Sequence, residues 1–136
     1  MSIRILYLDD DAAIVRLVQK ALERLGHTLT HSATPEEALE RLEAESFDVM
    51  VLDHYLQNTT GHEVLKRLRA RDLNVPVVYV TGSNEAQIAI EAIRAGASDY
   101  VIKTVGDDFM PLLISAIEHS VANAQLRAAK ERADEE

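Results

Sequence analysis

Four short apolar runs, each ending on a group able to bind a cation or a phosphate, constrain this chain more than any other feature. Ile3 to Leu8 leads into Asp9-Asp10-Asp11, and Val49-Met50-Val51-Leu52 leads into Asp53. Val77-Val78-Tyr79-Val80 ends on Thr81, and Tyr100-Val101-Ile102 ends on Lys103. Each run has the length and β-branched content of a buried parallel strand. In an open parallel sheet the strand ends of one sense line a single edge, where ligands bind. Three carboxylates, a hydroxyl and an ammonium are therefore expected to converge on one site.

Helical patterns separate the runs. Ile14, Val15, Leu17, Val18, Ala21, Leu22 and Leu25 form a stripe that Gly26 stops. Thr28 to Ala33 reads as a short, more polar strand at the sheet edge. Thr34-Pro35-Glu36-Glu37 opens the next helix, with Thr34 as cap, Pro35 in the first turn and Glu37 completing a capping box. Ala38, Leu39 and Leu42 face inward there. A polar loop through Asn58-Thr59-Thr60-Gly61 precedes a helix carrying Val64, Leu65 and Leu68. Asn84-Glu85 opens the fourth helix, whose inner face is Ile88, Ala89, Ala92 and Ile93, and Gly96 ends it. Asp108, rather than Asp107, suits the cap of the last helix, because Pro111 then falls in its first turn.

Five strand–helix units with short connections imply right-handed crossovers and helices on both sheet faces. The expected fold is a doubly wound α/β domain with strand order 2-1-3-4-5 and its crevice between strands 1 and 3. Phe109, Leu112, Leu113, Ala116 and Ile117 suffice to cover the sheet, yet helical sequence continues through Val121, Ala124, Ala128 and Lys130. Residues 1–122 are read as the domain and 123–136 as a helical extension or linker. The stretch from Lys130 to Glu136 reads as a solvated, fraying end.

Composition removes several function classes. The 136 residues fit one domain. Without cysteine there are no disulfides, thiolate metal sites or thiol catalysis, which is compatible with a reducing cytoplasm. No apolar stretch is long enough to span a bilayer, and the N-terminus lacks a signal-peptide layout. A cytoplasmic location is expected. Fourteen basic against 23 acidic residues give a net charge of −9, which argues against nucleic-acid binding by this segment.

Crowded carboxylates repel one another, and a hard divalent cation relieves the repulsion; oxygen-only ligation suits Mg²⁺. Asp53 stands alone at its strand end, placed to be a nucleophile. A carboxylate can attack phosphorus to give an acyl phosphate, while metal and ammonium offset charge on the phosphoryl oxygens. Lys103 supplies the ammonium, and the Thr81 hydroxyl can donate to a phosphoryl oxygen. Asp11 reads as the cap of the first helix. His27, His31, His54, His62 and His119 lack metal-ligand spacing and read as surface residues, although His54 adjoins Asp53 and could tune lifetime or pH response. Met50 and Met110 read as core.

These positions resemble the receiver domain of the two-component response-regulator family over roughly residues 3 to 120. The match consists of Asp9-Asp10, Asp53, Thr81-Gly82, Lys103 and Gly61, which lies eight residues beyond Asp53. The resemblance implies a flavodoxin-like (βα)5 fold and a phosphoryl group passed to Asp53 from a sensor histidine kinase or histidine phosphotransfer protein. It implies Mg²⁺ bound directly by Asp10 and Asp53, mainly through water by Asp9, and by the backbone carbonyl of Tyr55. It also implies that Tyr100 is a switch aromatic, turning inward when Thr81 moves toward the phosphate. That movement would alter the face formed by helix 4, strand 5 and helix 5. Such a domain is an enzyme only in its self-catalysed phosphorylation and slow dephosphorylation.

Two departures concern the switch. Thr104 follows Lys103 where the family usually has a proline, commonly in a cis bond. A cis bond to a non-proline residue costs ~2.5–4 kcal/mol, so a trans or a strained bond is expected. Leu56-Gln57 replaces the usual Met-Pro, which should leave that loop less rigid. A rival reading takes Asp9-x-Asp11 as the nucleophile motif of haloacid-dehalogenase-like, Mg²⁺-dependent phosphohydrolases. No output domain fits after the receiver core, so the chain either docks to a downstream protein or serves as the receiver part of a longer one. A weak homodimer through the last helix is the further expectation.

Overall fold

The computed structural model describes residues 2–82, 86–103 and 108–134. In chain order the elements are β1 (Arg4–Leu8), α1 (Ala12–Arg24), β2 (Thr28–Ser32), α2 (Pro35–Ala44) and β3 (Val49–Asp53). A two-residue hairpin follows, β4 (Tyr55–Leu56) and β5 (Thr59–Thr60), then α3 (Gly61–Ala70), β6 (Val77–Thr81) and α4 (Ala86–Arg94). The chain closes with β7 (Asp99–Ile102) and α5 (Phe109–Asp134). The main sheet has the order β2-β1-β3-β6-β7 with every pairing parallel, which is the expected 2-1-3-4-5 topology. β2, the most polar strand, lies at the edge as its composition suggested.

Register sets up the site. Leu8 is level with Leu52, and Asp53 with Val80, so Asp9 and Asp53 leave adjacent strands at the same height. Successive strand residues point to opposite faces. Ile5, Tyr7, Val51, Val78 and Val80 accordingly pack under α1 and α5. Leu6, Leu8, Met50, Leu52 and Tyr79 pack under α2, α3 and α4. Truncating a wholly buried residue such as Leu22 or Leu65 to alanine costs about 2–5 kcal/mol in a core of this kind.

Local signals act as anticipated at most helix ends. Asp11 caps α1, its Oδ1 accepting from the Ala13 and Ile14 amides at 3.1 and 3.4 Å. Gly26 and Gly96 stop their helices with φ of 87° and 106°, conformations that a side chain resists. Thr34 Oγ1 accepts from the Glu37 amide, but the Glu37 carboxylate pairs with Arg41 at 3.3 Å instead of completing a capping box. Asp108 precedes the first residue of α5, and its carbonyl accepts from the Leu112 amide at 3.2 Å. Asn84-Glu85, Asp107 and the Lys103–Thr104 bond lie outside the described residues.

The helical stripes drawn from sequence are wider than the buried ones. Leu17 is 62% exposed, Leu25 52%, Ile93 44% and Leu112 55%. At about 100° per residue, Leu17 lies some 200° around from Val15 and cannot share the face of Val15, Val18 and Leu22. Leu112 is likewise one step off the line of Phe109, Leu113, Ala116, Ile117 and Ser120. Val121 is the last core residue of α5. Beyond it, Ala124 and Ala128 line a cleft of about 450 Å³ against Arg69, Pro76 and Ser98 of the same chain. Lys130 to Asp134 remain helical and exposed rather than frayed.

The segment after Asp53, read as a polar loop, forms a short antiparallel hairpin. Tyr55 pairs with Thr60 and Leu56 with Thr59, around a turn whose Asn58 has φ of 70°. Asparagine tolerates that left-handed conformation better than most residues, so the turn closes without glycine or proline. Thr60 then caps α3 by accepting from the Glu63 amide.

Candidate functional site

Asp9, Asp10, Asp53, Thr81 and Lys103 come from the carboxyl ends of β1, β3, β6 and β7, and the carboxylates and the ammonium meet in one pocket. Each of the three carboxylates presents an oxygen, and these oxygens lie within 4.8 Å of one another. Asp9 and Asp53 are buried, whereas Asp10 is exposed at the rim. Lys103 Nζ donates to Asp9 Oδ2 at 2.9 Å and lies 3.1 Å from Asp53 Oδ1. Asp9 Oδ1 accepts the Asp11 amide at 2.9 Å, so both oxygens of this buried group are held. Thr81 is buried at the end of β6, and its carbonyl accepts from the Lys103 amide at 2.8 Å.

The electrostatics follow from that crowding. Burial, then the charge of Asp9, pushes the Asp53 carboxyl up to about 6, with Lys103 offsetting only part of the effect. Burial would lower the Lys103 ammonium, but its hydrogen bond to Asp9 and the charges of Asp53 and Asp9 outweigh that and raise it. Three hard oxygen donors close together, one still held partly protonated near neutral pH, form a set whose repulsion a divalent cation would relieve. The residues present therefore fit such an ion.

Close packing beneath Asp53 explains Gly61. A methyl group there would sit 2.6 Å from the Asp53 carbonyl oxygen and 2.6 Å from the Tyr79 hydroxyl. The Gly61 amide donates to the His54 carbonyl at 2.8 Å, locking the start of α3 to the strand end. Tyr55 is exposed and opens the hairpin directly after His54. Tyr100, 43% exposed on β7, faces outward.

The histidines correct the surface reading. His54 is buried, hydrogen-bonded through Nδ1 to the Tyr79 hydroxyl and edge-on to His62 with ring centres 4.7 Å apart. His62 stacks on Tyr79 and bridges to α4, reaching the Ile88 carbonyl at 3.2 Å and Glu91 at 3.4 Å. His31 Nε2 is 2.7 Å from the Asp9 carbonyl, and His27 Nδ1 accepts the Ile3 amide at 3.0 Å. His119 alone is exposed. A single polar residue carries no periodicity, so nothing in its own surroundings in sequence marked these for burial. His31 and His54 could have been suspected only because they adjoin strand ends.

A doubly wound sheet with an acidic pocket at the carboxyl ends of its strands defines a class of ligand-binding α/β domains. Within that class the sequence is specific: the profile of the response regulator receiver domain matches residues 5–115. The chain belongs to this family. It is 38% identical over 103 residues to the alkaline phosphatase synthesis transcriptional regulatory protein PhoP of Bacillus subtilis, covering 76% of this chain and 43% of that protein. It is 29% identical over 120 residues to the transcriptional regulatory protein ZraR of Escherichia coli K12, covering 88% of this chain and 27% of that one. The chain thus spans less than half the length of either relative. Among solved structures, a CheY-like response regulator receiver domain from Methanospirillum hungatei JF-1 superimposes with a TM-score of 0.82 at 27% identity, covering 93% of this chain and 99% of that one. The haloacid-dehalogenase reading finds no support: Asp11, which it needs as acid/base, is committed to capping α1.

Proposed function

We propose that Asp53 accepts a phosphoryl group from a phosphohistidine of a sensor kinase or phosphotransfer protein, with Mg²⁺ held by Asp10 and Asp53 directly, by the Tyr55 carbonyl, and through water by Asp9. The observation that carries the reading is a buried carboxylate with an ammonium 3.1 Å away and two more carboxylates beside it. An Asp53 oxygen attacks phosphorus, the bond from phosphorus to the donor imidazole breaks, and the electron pair leaves with the imidazole nitrogen. Mg²⁺, when bound, neutralises charge on the phosphoryl oxygens. Lys103 binds one of those oxygens, and the Thr81 hydroxyl donates to another. The domain catalyses its own phosphorylation and slow dephosphorylation and no other reaction.

In this reading Thr81 movement draws Tyr100 inward and reshapes the α4–β7–α5 face. That face carries exposed Ile90, Ile93, Tyr100 and Leu112, as a docking surface for a downstream protein or fused output domain would. Residues 1–122 form the receiver unit and 123–136 a helical extension or linker, able to pair weakly with a second copy. A cytoplasmic location suits this role; no helix among the described residues is long and apolar enough to cross a membrane.

Labelling with acetyl phosphate or a phosphorylated kinase, followed by mapping of the acyl phosphate, tests the acceptor. Label on Asp53 that Asp53→Asn abolishes is expected. Label on Asp9, or undiminished label in the mutant, overturns the assignment. Asp10→Ala is expected to weaken Mg²⁺ binding, and equal affinity in titration removes Asp10 from the ligand set.

A further inference from the structure

Tyr7 lies on β1 two residues before Asp9, whose amide continues the ladder by donating to the Ser32 carbonyl at 3.2 Å, so the two side chains leave the same face. Its side chain is wholly buried, and its hydroxyl has no hydrogen-bond partner among the described residues. Leaving a buried donor unmade is unfavourable, and such a group in a native core calls for an explanation. The phenol lies close enough to the Asp9 carboxylate to feel it as a hydrogen-bond acceptor, yet no bond of ordinary geometry forms in this state. A donor without a hydrogen bond of ordinary geometry thus lies beside three clustered carboxylates.

Asp9 gives the reason. Its Oδ1 is held by the Asp11 amide and its Oδ2 by Lys103, so the resting carboxylate needs no further donor. Lys103 also lies 3.1 Å from Asp53 Oδ1, and one ammonium serves both groups. A phosphoryl group on Asp53 adds negative charge there and draws the ammonium toward it. Asp9, fully buried, then loses its charged partner from Oδ2.

We propose that Tyr7 is a positioning residue for phosphoryl acceptance: its hydroxyl donates to Asp9 Oδ2 once Lys103 turns to the phosphoryl oxygens. The lysine is thereby released without stranding a buried carboxylate. The proposal rests on Asp53 being the acceptor. Ser32 Oγ, the other buried hydroxyl without a partner, is at the end of β2, one strand further from Asp53, and is not part of it.

Tyr7→Phe removes the hydroxyl and keeps the ring. The experiment measures thermal stability and beryllofluoride affinity at saturating Mg²⁺ for wild type and variant. Without beryllofluoride the variant is expected to be at least as stable as wild type, because an unmade hydrogen bond leaves the core. Its beryllofluoride affinity is expected to fall about tenfold, the scale of one hydrogen bond to a charged group. Equal affinity, or an equal loss of stability with and without the ligand, overturns the proposal. In wild type, a slowly exchanging Tyr7 hydroxyl proton is expected by NMR only with beryllofluoride bound, and its absence from that state also overturns it. That second measurement needs no variant. If wild type itself fails to bind beryllofluoride, the acceptor reading falls; binding with no difference between the two proteins sinks the role of Tyr7 alone.

Discussion

Lys103 Nζ sits closer to Asp9, at 2.9 Å from Oδ2, than to the candidate acceptor Asp53, at 3.1 Å from Oδ1. Asp9 is fully buried and Asp53 nearly so, while the lysine side chain keeps about a fifth of its surface in solvent. The ammonium is therefore first a structural counter-ion for a buried carboxylate. Under the proposed phosphoryl transfer, any contact with a phosphoryl group must be taken from that duty.

Replacing the lysine tests this arrangement. Lys103→Met leaves Asp9 and Asp53 without their shared cation, and breaking a buried pair in this way costs about 3–5 kcal/mol. Urea unfolding of the metal-free protein should register a loss of that order, and added Mg²⁺ should recover part of it by linkage. A mutant as stable as wild type in chelator contradicts the counter-ion role.

The raised Asp53 carboxyl fixes a pH dependence. Its ordinary value is 3.8 and its folded value about 6, so the folded state binds the proton more tightly than the unfolded chain. The resulting stabilisation is complete below the ordinary value, declines as pH rises through about 6, and is absent above. Its full size is about 3 kcal/mol on the metal-free protein. Asp53→Asn cannot titrate, so its stability relative to wild type should grow between pH 4 and 7 in chelator. Parallel pH curves for the two proteins refute the shift.

Gly61 allows no side chain. In Gly61→Ala the new methyl meets the Asp53 carbonyl and the Tyr79 hydroxyl at 2.6 Å each, and overpacking of this kind costs about 1–3 kcal/mol. Chemical denaturation measures the loss. Adding Tyr79→Phe should recover little of it, because the carbonyl contact persists; full recovery places the clash on the phenol instead.

The switch reading turns on Tyr100 and Thr81, one outward and 43% exposed, the other buried. NMR of the Mg²⁺ protein with beryllofluoride should perturb resonances around Tyr100 and along α4, through a population shift of a few kcal/mol. Shifts confined to residues 54–60 would exclude it.

Pairing through the last helix is the fifth expectation. Val121 belongs to the core and Ala124 and Ala128 line the cleft against Arg69, so any dimer seam runs along the opposite side of the helix, at the exposed Leu126. Sedimentation over a wide concentration range should show weak dimerisation that truncation after Ala122 abolishes. A strict monomer, or a dimer indifferent to that truncation, is incompatible with such a seam.

Strand positions and the five polar groups at their ends were legible in the chain itself because each is a local property, and the strand order followed from the doubly wound class that their alternation with helices implies. Val49 to Leu52 is apolar, with two β-branched valines, whatever surrounds it, and parallel strands place their like ends on one edge. Helix ends at Asp11, Thr34, Gly26 and Gly96 are equally local, since caps and left-handed turns depend on one residue and its immediate neighbours. Packing decided the rest. Whether Leu17 or Leu112 is covered depends on how wide a face the sheet offers, and whether His54 is buried depends on Tyr79, 25 positions away. The same holds for Gly61 beneath the Asp53 carbonyl and for a Tyr7 hydroxyl left without a partner beside Asp9. These are relations between atoms brought together by the fold, at distances of a few ångströms that no one-dimensional pattern encodes.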